Sequence, residues 1–145
     1  MELFVKAFDE LAVSELYEIM NARAEIFVVE QNCLYNDLDD KDQASLHVFL
    51  KDENGLAAYL RVLPRGLCDE NVRIGRVITV RRGKGFGAKV MRAGLATAAE
   101  RFAADSVTIS AQTHAIGFYE KCGFKTVSEV YMEEGIPHVK MICKL

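Results

Sequence analysis

Proline is nearly missing from this chain: Pro64 and Pro137 are the only two in 145 residues. With half of the residues hydrophobic and 27% charged, that scarcity excludes a disordered or low-complexity segment. Long apolar runs are missing too. None approaches the roughly 18–20 residues that a membrane-spanning helix needs. The start, "MELFVKAFDE", lacks the basic and apolar regions of a secretory signal. The four cysteines, Cys33, Cys68, Cys122 and Cys143, include no C-x-x-C pair. They read as reduced thiols rather than a disulfide framework, and the expected compartment is the cytoplasm. Positive charge is not in excess. Lys and Arg number 18 against 21 Asp and Glu, a net charge of −3 that argues against a dedicated nucleic-acid binder. The expectation is a single domain, 1–145, of a size that buries about 68–70% of its unfolded surface.

What is present is an ordered succession of elements. "LFVKAF" (3–8) has strand composition. Leu16, Ile19, Met20, Ile26 and Phe27 recur at helical spacing, so 13–30 reads as one amphipathic helix. The acidic stretch "QNCLYNDLDDKDQ" follows as a loop. "LHVFLKD" and "LAAYLRVLP" read as strands joined by "ENG", a turn with Asn-Gly chemistry. A strand over 72–80, a glycine loop, a helix over 87–103, a strand over 106–111 and a helix over 114–122 come next. Gly123 stands where a C-cap glycine belongs. "KTVSEVYM" and "HVKMICKL" form a closing hairpin around "EEGIP". The order β-α-β-β-β-α-β-α-β-β, with one βαβ unit in the middle, predicts a mixed α/β layer fold. Helices cover a largely antiparallel sheet that contains a central parallel pair.

"RRGKGFGAKVM" (81–91) gathers three glycines and four basic residues at the strand-to-helix junction. Glycines there let backbone N–H groups wrap an anion. Positive charge at a helix N-terminus is unfavourable unless an anion occupies it, which argues against a simple turn. The Walker pattern is absent: Ala88 stands five residues after Gly83, and Val90 follows Lys89. Gly83, Gly85 and Ala88 meet the dinucleotide spacing formally. The next strand, however, ends in Ser110, Ala111 and Gln112 with no acid for a ribose, and too few residues follow for a doubly wound sheet. Arg82-Gly83-Lys84-Gly85-Phe86-Gly87 matches R/Q-x-x-G-x-G/A instead. Together with "GFYEKCGF" (117–124) and the element order of 72–122, the chain resembles the GNAT superfamily of acetyl-CoA-dependent N-acyltransferases along nearly its whole length. "RAEIFVVEQNCLYNDLDDKD" (23–42) and "GIPHVKM" (135–141) are similar to the ElaA-like branch of that superfamily.

The resemblance implies a GNAT-like fold whose central parallel strands splay, with acetyl-CoA as co-substrate and no metal. It implies that Arg82, Gly83, Lys84, Gly85, Phe86, Gly87 and Ala88 hold the pyrophosphate. It also implies that Val77, Ile78 and Val80 meet pantetheine through their main chain, with an N–H near Ile78 for the thioester carbonyl. Tyr119 is then the general acid, a phenol of ordinary pKa near 10. One departure is visible: Gln112, expected at the cofactor site, stands where many members carry an asparagine that contacts the pantetheine arm, seven residues before the tyrosine. The base stays open among Glu30, His138, His47 and a water chain. Arg23, on the apolar stripe, needs a partner, expected in Glu30 or in Asp37 or Asp39 folding back. Asp37, Asp39, Asp40 and Asp42 do not form an EF-hand, because Lys41 takes the next ligand position and the glycine is missing. They read as a solvated loop or as a funnel for a cationic amine. The expected acceptor is a small amine or an exposed lysine, with no nucleic acid or membrane as partner and a homodimer allowed. The alternative is a non-catalytic acyl-CoA-binding or sensing domain on the same fold.

Overall fold

Alternation along the strands sorts their side chains into two layers. In the computed structural model, which describes all 145 residues, the strands are β1 (Glu2–Ala7), β2 (Leu46–Asp52), β3 (Gly55–Leu63), β4 (Val72–Thr79), β5 (Ser106–Gln112), β6 (Lys125–Thr126), β7 (Tyr131–Glu133) and β8 (Ile136–Lys144). They form one sheet in the order β1-β2-β3-β4-β5-β8-β6, with β7 also on β8. Every pairing is antiparallel except β4 with β5. On one face Val48, Leu50, Leu60, Val62 and Ile74 pack against Val90, Met91 and Ala98 of α2 (Phe86–Phe102). On the other, Phe49, Tyr59 and Ile78 pack against Ile19 of α1 (Val13–Arg23). The α2 seam is tight. A Cβ on Gly94 would lie 2.9 Å from both Leu60 methyls, so only glycine lets this helix sit so close to β3.

The sheet opens at its parallel pair. β4 and β5 are in register only at Val72–Val107 and Arg73–Thr108. Beyond that point β4 stays with β3 and leaves β5. A β-bulge drives the departure, because two β4 residues, Arg76 and Val77, oppose the single Leu60 between the pairs Arg61–Gly75 and Tyr59–Ile78. Arg76 carries the distortion at φ +52°.

Three expectations need correction. The helix over 13–30 is α-helical only to Arg23, and Ala24–Glu30 is a π-helix, whose wider turn breaks the 3.6-residue stripe. The strand over 125–132 is two short strands, β6 and β7, that dock separately on β8. Residues 114–122 begin with a 3₁₀ turn, Thr113–Ala115, before α3 (Ile116–Lys121).

Candidate active site

The gap between β4 and β5 is the floor of a cavity of about 870 Å³. Val77 and Thr79 of β4 and Ile109, Ser110 and Gln112 of β5 line it, with Tyr119 of α3 and the β7–β8 residues Glu133 and His138. The π-helix closes one side through Phe27 and Glu30, and Arg82 of the glycine loop stands at the edge.

The loop is built to receive an anion. Gly83 (φ +79°) and Gly85 (φ +75°) occupy the left-handed region, which a side chain resists. Gly85 is the N-cap of α2. No side chain caps the helix there and no acid lies in its first turn, so the N–H groups of Phe86, Gly87 and Ala88 lack intrahelical partners. A Cβ on Gly83 or Gly85 would meet no protein atom, so both face open space. At Gly87 a Cβ would press on Thr79 Oγ1 at 3.0 Å and the Phe118 ring at 3.3 Å, so this glycine seats α2 against the cavity wall. Arg82 and Lys84 project outward. Arg81 does not take part, because Asp52 holds its guanidinium at 2.7 Å and the Gly55 and Leu56 carbonyls accept from it.

Backbone polarity along β4 corrects part of the main-chain expectation. The Val80 N–H donates to the Ala57 carbonyl at 2.8 Å. Ile78 lies two residues back in the same alternation, opposite Tyr59, so both turn their polar groups toward β3. Thr79, between them, turns its N–H and C=O toward the gap, and the bulge at Arg76–Val77 leaves further groups unpaired. The open edge therefore belongs to Val77 and Thr79, not to Ile78 and Val80.

Tyr119 sits edge-on between Phe118 and Phe124, at centroid distances of 5.2 and 5.9 Å. Burial, with a smaller push from the Cys122 thiol, raises its phenol to about 12. Gln112 faces the cavity, but its amide is already bonded reciprocally to Gln31 at 3.2 and 3.1 Å and to His114 at 2.6 Å. Glu30 pairs with Arg82 at 2.6 Å across the cavity edge. His138 is buried, its Nδ1 2.7 Å from the Ile136 carbonyl and its Nε2 3.4 Å from Glu133. His47 does not reach the site. It lies fully buried between the Tyr59 hydroxyl and the Asp42 carbonyl.

Arg23 pairs with Asp37 at 2.8 Å and Asp42 at 2.7 Å, not with Glu30. The π-helix carries Glu30 off the Arg23 stripe and out to Arg82. Arg61 binds Asp39 and Asp42, and Arg76 binds Asp37 at 2.7 Å. Three of the four aspartates are thus neutralised by arginines, so the stretch is neither a solvated loop nor a funnel. It is a clamp that holds residues 31–42 over the sheet. Sequence reasoning missed Thr79, Ser110 and Glu133, which line the cavity. For Ser110 a signal existed: Thr108, Ser110 and Gln112 alternate with the core residues Val107, Ile109 and Ala111, which marks a polar face on a central strand.

A family model described as an acetyltransferase (GNAT) domain matches residues 8–145. The chain belongs to the GNAT family. Among its relatives, a UPF0039 protein of Schizosaccharomyces pombe is 40% identical over 100% of this chain and 98% of its own. Protein ElaA of Escherichia coli is 40% identical over 91% of this chain and 89% of its own. The ElaA crystal structure superposes with a TM-score of 0.90 at 38% identity, covering 99% of this chain and 100% of ElaA. An acyl-CoA N-acyltransferase from Pseudomonas aeruginosa superposes with the same TM-score at 34% identity, covering 99% of each chain. The GNAT fold, which the loop motif implied, and its ElaA-like branch, which residues 23–42 and 135–141 implied, are therefore shown.

Proposed function

We propose that this GNAT chain transfers an acetyl group from acetyl-CoA to a primary amine by direct attack, with Tyr119 as general acid. The observation that carries the reading is the splay of β4 from β5, with an uncapped glycine-rich helix start at its mouth and a half-buried tyrosine on its wall. The uncapped N–H groups of α2, with Lys84 beside them and Arg82 exchanging Glu30 for the anion, suit a pyrophosphate. The unpaired edge of β4 at Val77 and Thr79 suits the amides of a pantetheine arm, and Gln112, whose Oε1 is taken by Gln31 and His114, keeps one Nε2–H for that contact. Acetyl-CoA supplies the activated acyl group when bound.

The residues then have separate tasks. A backbone N–H of the open β4 edge polarises the acyl carbonyl by donating to its oxygen. Tyr119 gives its proton to the departing thiolate, and with its phenol held at about 12 the donor form persists throughout the working pH range. His138 fits the base role better than Glu30, because Glu30 is already engaged by Arg82. The four free cysteines suit a reducing, cytoplasmic setting.

The test is release of free thiol from acetyl-CoA over a panel of polyamines, amino acids, aminoglycosides and lysine peptides. Turnover with any amine supports the transferase. Binding of acetyl-CoA with no turnover across the panel supports a sensor on the same fold.

A further inference from the structure

Arg73 is a cation on a central strand whose guanidinium makes no hydrogen bond within the chain. Its side chain is only 25% exposed, and its one ionic neighbour, Asp69, lies 3.8 Å away, beyond hydrogen-bond reach. Asp69 is also occupied, since its Oδ1 accepts from the Asn71 N–H at 2.8 Å. The arginines around it are tied: Arg61 to Asp42 at 3.0 Å, Arg76 to Asp37 at 2.7 Å and Arg81 to Asp52 at 2.7 Å. Withdrawing a guanidinium from water without an acceptor costs free energy, and nothing in the folded chain offsets that cost at Arg73.

The register fixes where that guanidinium stands. Arg73 and Gly75 lie opposite Leu63 and Arg61 of β3, while Val72 and Ile74, which alternate with them, enter the α2 core. Arg73, Gly75 and Leu63 therefore share the face that floors the cavity, and Cys68 lines it with them. A Cβ on Gly75 would meet no atom within 4 Å, so the floor is bare between Arg73 and the bulge. From Arg73 the cavity follows β4 past Val77 to Thr79. The aspartates of the clamp are taken already, Asp37, Asp39 and Asp42 by Arg23, Arg61 and Arg76. Arg73 is left facing open space.

We propose that Arg73 is a carboxylate anchor on the cavity floor, and that the acceptor is an amine whose chain ends in a carboxylate. The inference rests on the N-acyltransferase reading. The planar fork of the guanidinium presents two parallel N–H groups, which match the two oxygens of a carboxylate. A phosphate dianion fits less well, because one free cation would meet two negative charges with Asp69 3.8 Å behind it. The bare strand at Gly75 gives the connecting chain a place to lie. Arg73 and Val77 are four residues apart with one absorbed in the bulge, a separation of about 10 Å at the usual strand rise. Several methylenes between amine and carboxylate span that distance, as in an ω-amino acid, whereas the adjacent ammonium and carboxylate of an α-amino acid do not. A polyamine offers Arg73 only like charge.

The test is binding by the free protein. The probe is 6-aminohexanoate, the control without a carboxylate is n-hexylammonium, and the competing anion is inorganic phosphate. The Nε–H resonance of Arg73, assigned by its loss in Arg73→Gln, reports on the site. The expected result is a saturable response to 6-aminohexanoate, none to n-hexylammonium and a weaker one to phosphate. Arg73→Gln, folded by circular dichroism, should lower the affinity for 6-aminohexanoate at least about tenfold, the scale of a lost charge-assisted hydrogen bond. Arg73→Lys keeps the charge without the fork and should recover only part of that loss. No saturable response in the unaltered protein, an equal response to n-hexylammonium, a stronger one to phosphate, or unchanged affinity in Arg73→Gln overturns the anchor. Neither acetyl-CoA nor turnover enters this measurement, so its failure is distinct from failure of the transferase reading, which thiol release decides.

Discussion

Tyr119 concentrates the chemical claim in one hydroxyl. Tyr119→Phe keeps the ring wedged between Phe118 and Phe124 and removes only the proton donor. Turnover should fall by about 10²- to 10⁴-fold, the usual worth of general acid catalysis, while acetyl-CoA affinity changes little. Steady-state kinetics beside a direct binding measurement separate the two. Lost affinity would make Tyr119 a cofactor contact, and full activity would leave water as the proton source. At this scale motif resemblance proposes Tyr119 and the loop residues, and the residues alone offer His138 as one of several open candidates for the base. The sequence did not carry partner choice. Arg23 takes Asp37, one of the alternatives the sequence offered, and Asp42, which it did not, rather than Glu30, a preference set by where the loop after the π-helix lands. No residue spacing states that in advance.

Among the elements, the glycine loop makes the sharpest prediction. Gly85→Val places a β-branched residue at φ +75° directly before the free N–H groups of α2. The variant should lose the thermal shift given by acetyl-CoA while its apo circular dichroism stays native, because a Cβ there meets no protein atom. A variant that binds normally would reduce the loop to a turn. The strands and helices themselves were largely legible, since periods of 2 and 3.6 survive wherever one face is buried. Legibility failed where hydrogen bonding departs from those periods. The π-helix at Ala24–Glu30 keeps apolar residues in helical-looking order yet rotates Glu30 to a new partner. The β4 bulge at Arg76–Val77 shifts which backbone groups face the gap, so the open edge belongs to Val77 and Thr79 rather than to Ile78 and Val80.

For the whole molecule, the clamp over the sheet sets the response to acid. Burial alone would raise the Asp39 and Asp42 carboxyls, but Arg61 and Arg23 outweigh it and hold both well below the usual range. The unfolded chain takes up those protons near pH 4 while the folded chain does not, so stability falls as pH drops below about 4. His47 acts in the same direction at higher pH. Burial holds its imidazole below the ordinary 6.5, so protonation of the unfolded chain begins to cost stability below about pH 6.5. Denaturation midpoints should therefore be level near neutrality, decline from about pH 6.5 and steepen below about pH 4. A midpoint unchanged down to pH 4 would contradict the buried neutral histidine. One unchanged below pH 4 would contradict the clamp.

The same molecule-wide readout tests the central claim, that the splayed sheet and its glycine loop form an acyl-CoA site. Melting the full chain with acetyl-CoA at about 100 times its dissociation constant should stabilise the fold by about 2.7 kcal/mol. For a chain of this size that is a rise in Tm of roughly 5–10 °C, with NAD and ATP giving much less. No rise with acetyl-CoA, or an equal one with NAD, would contradict the account.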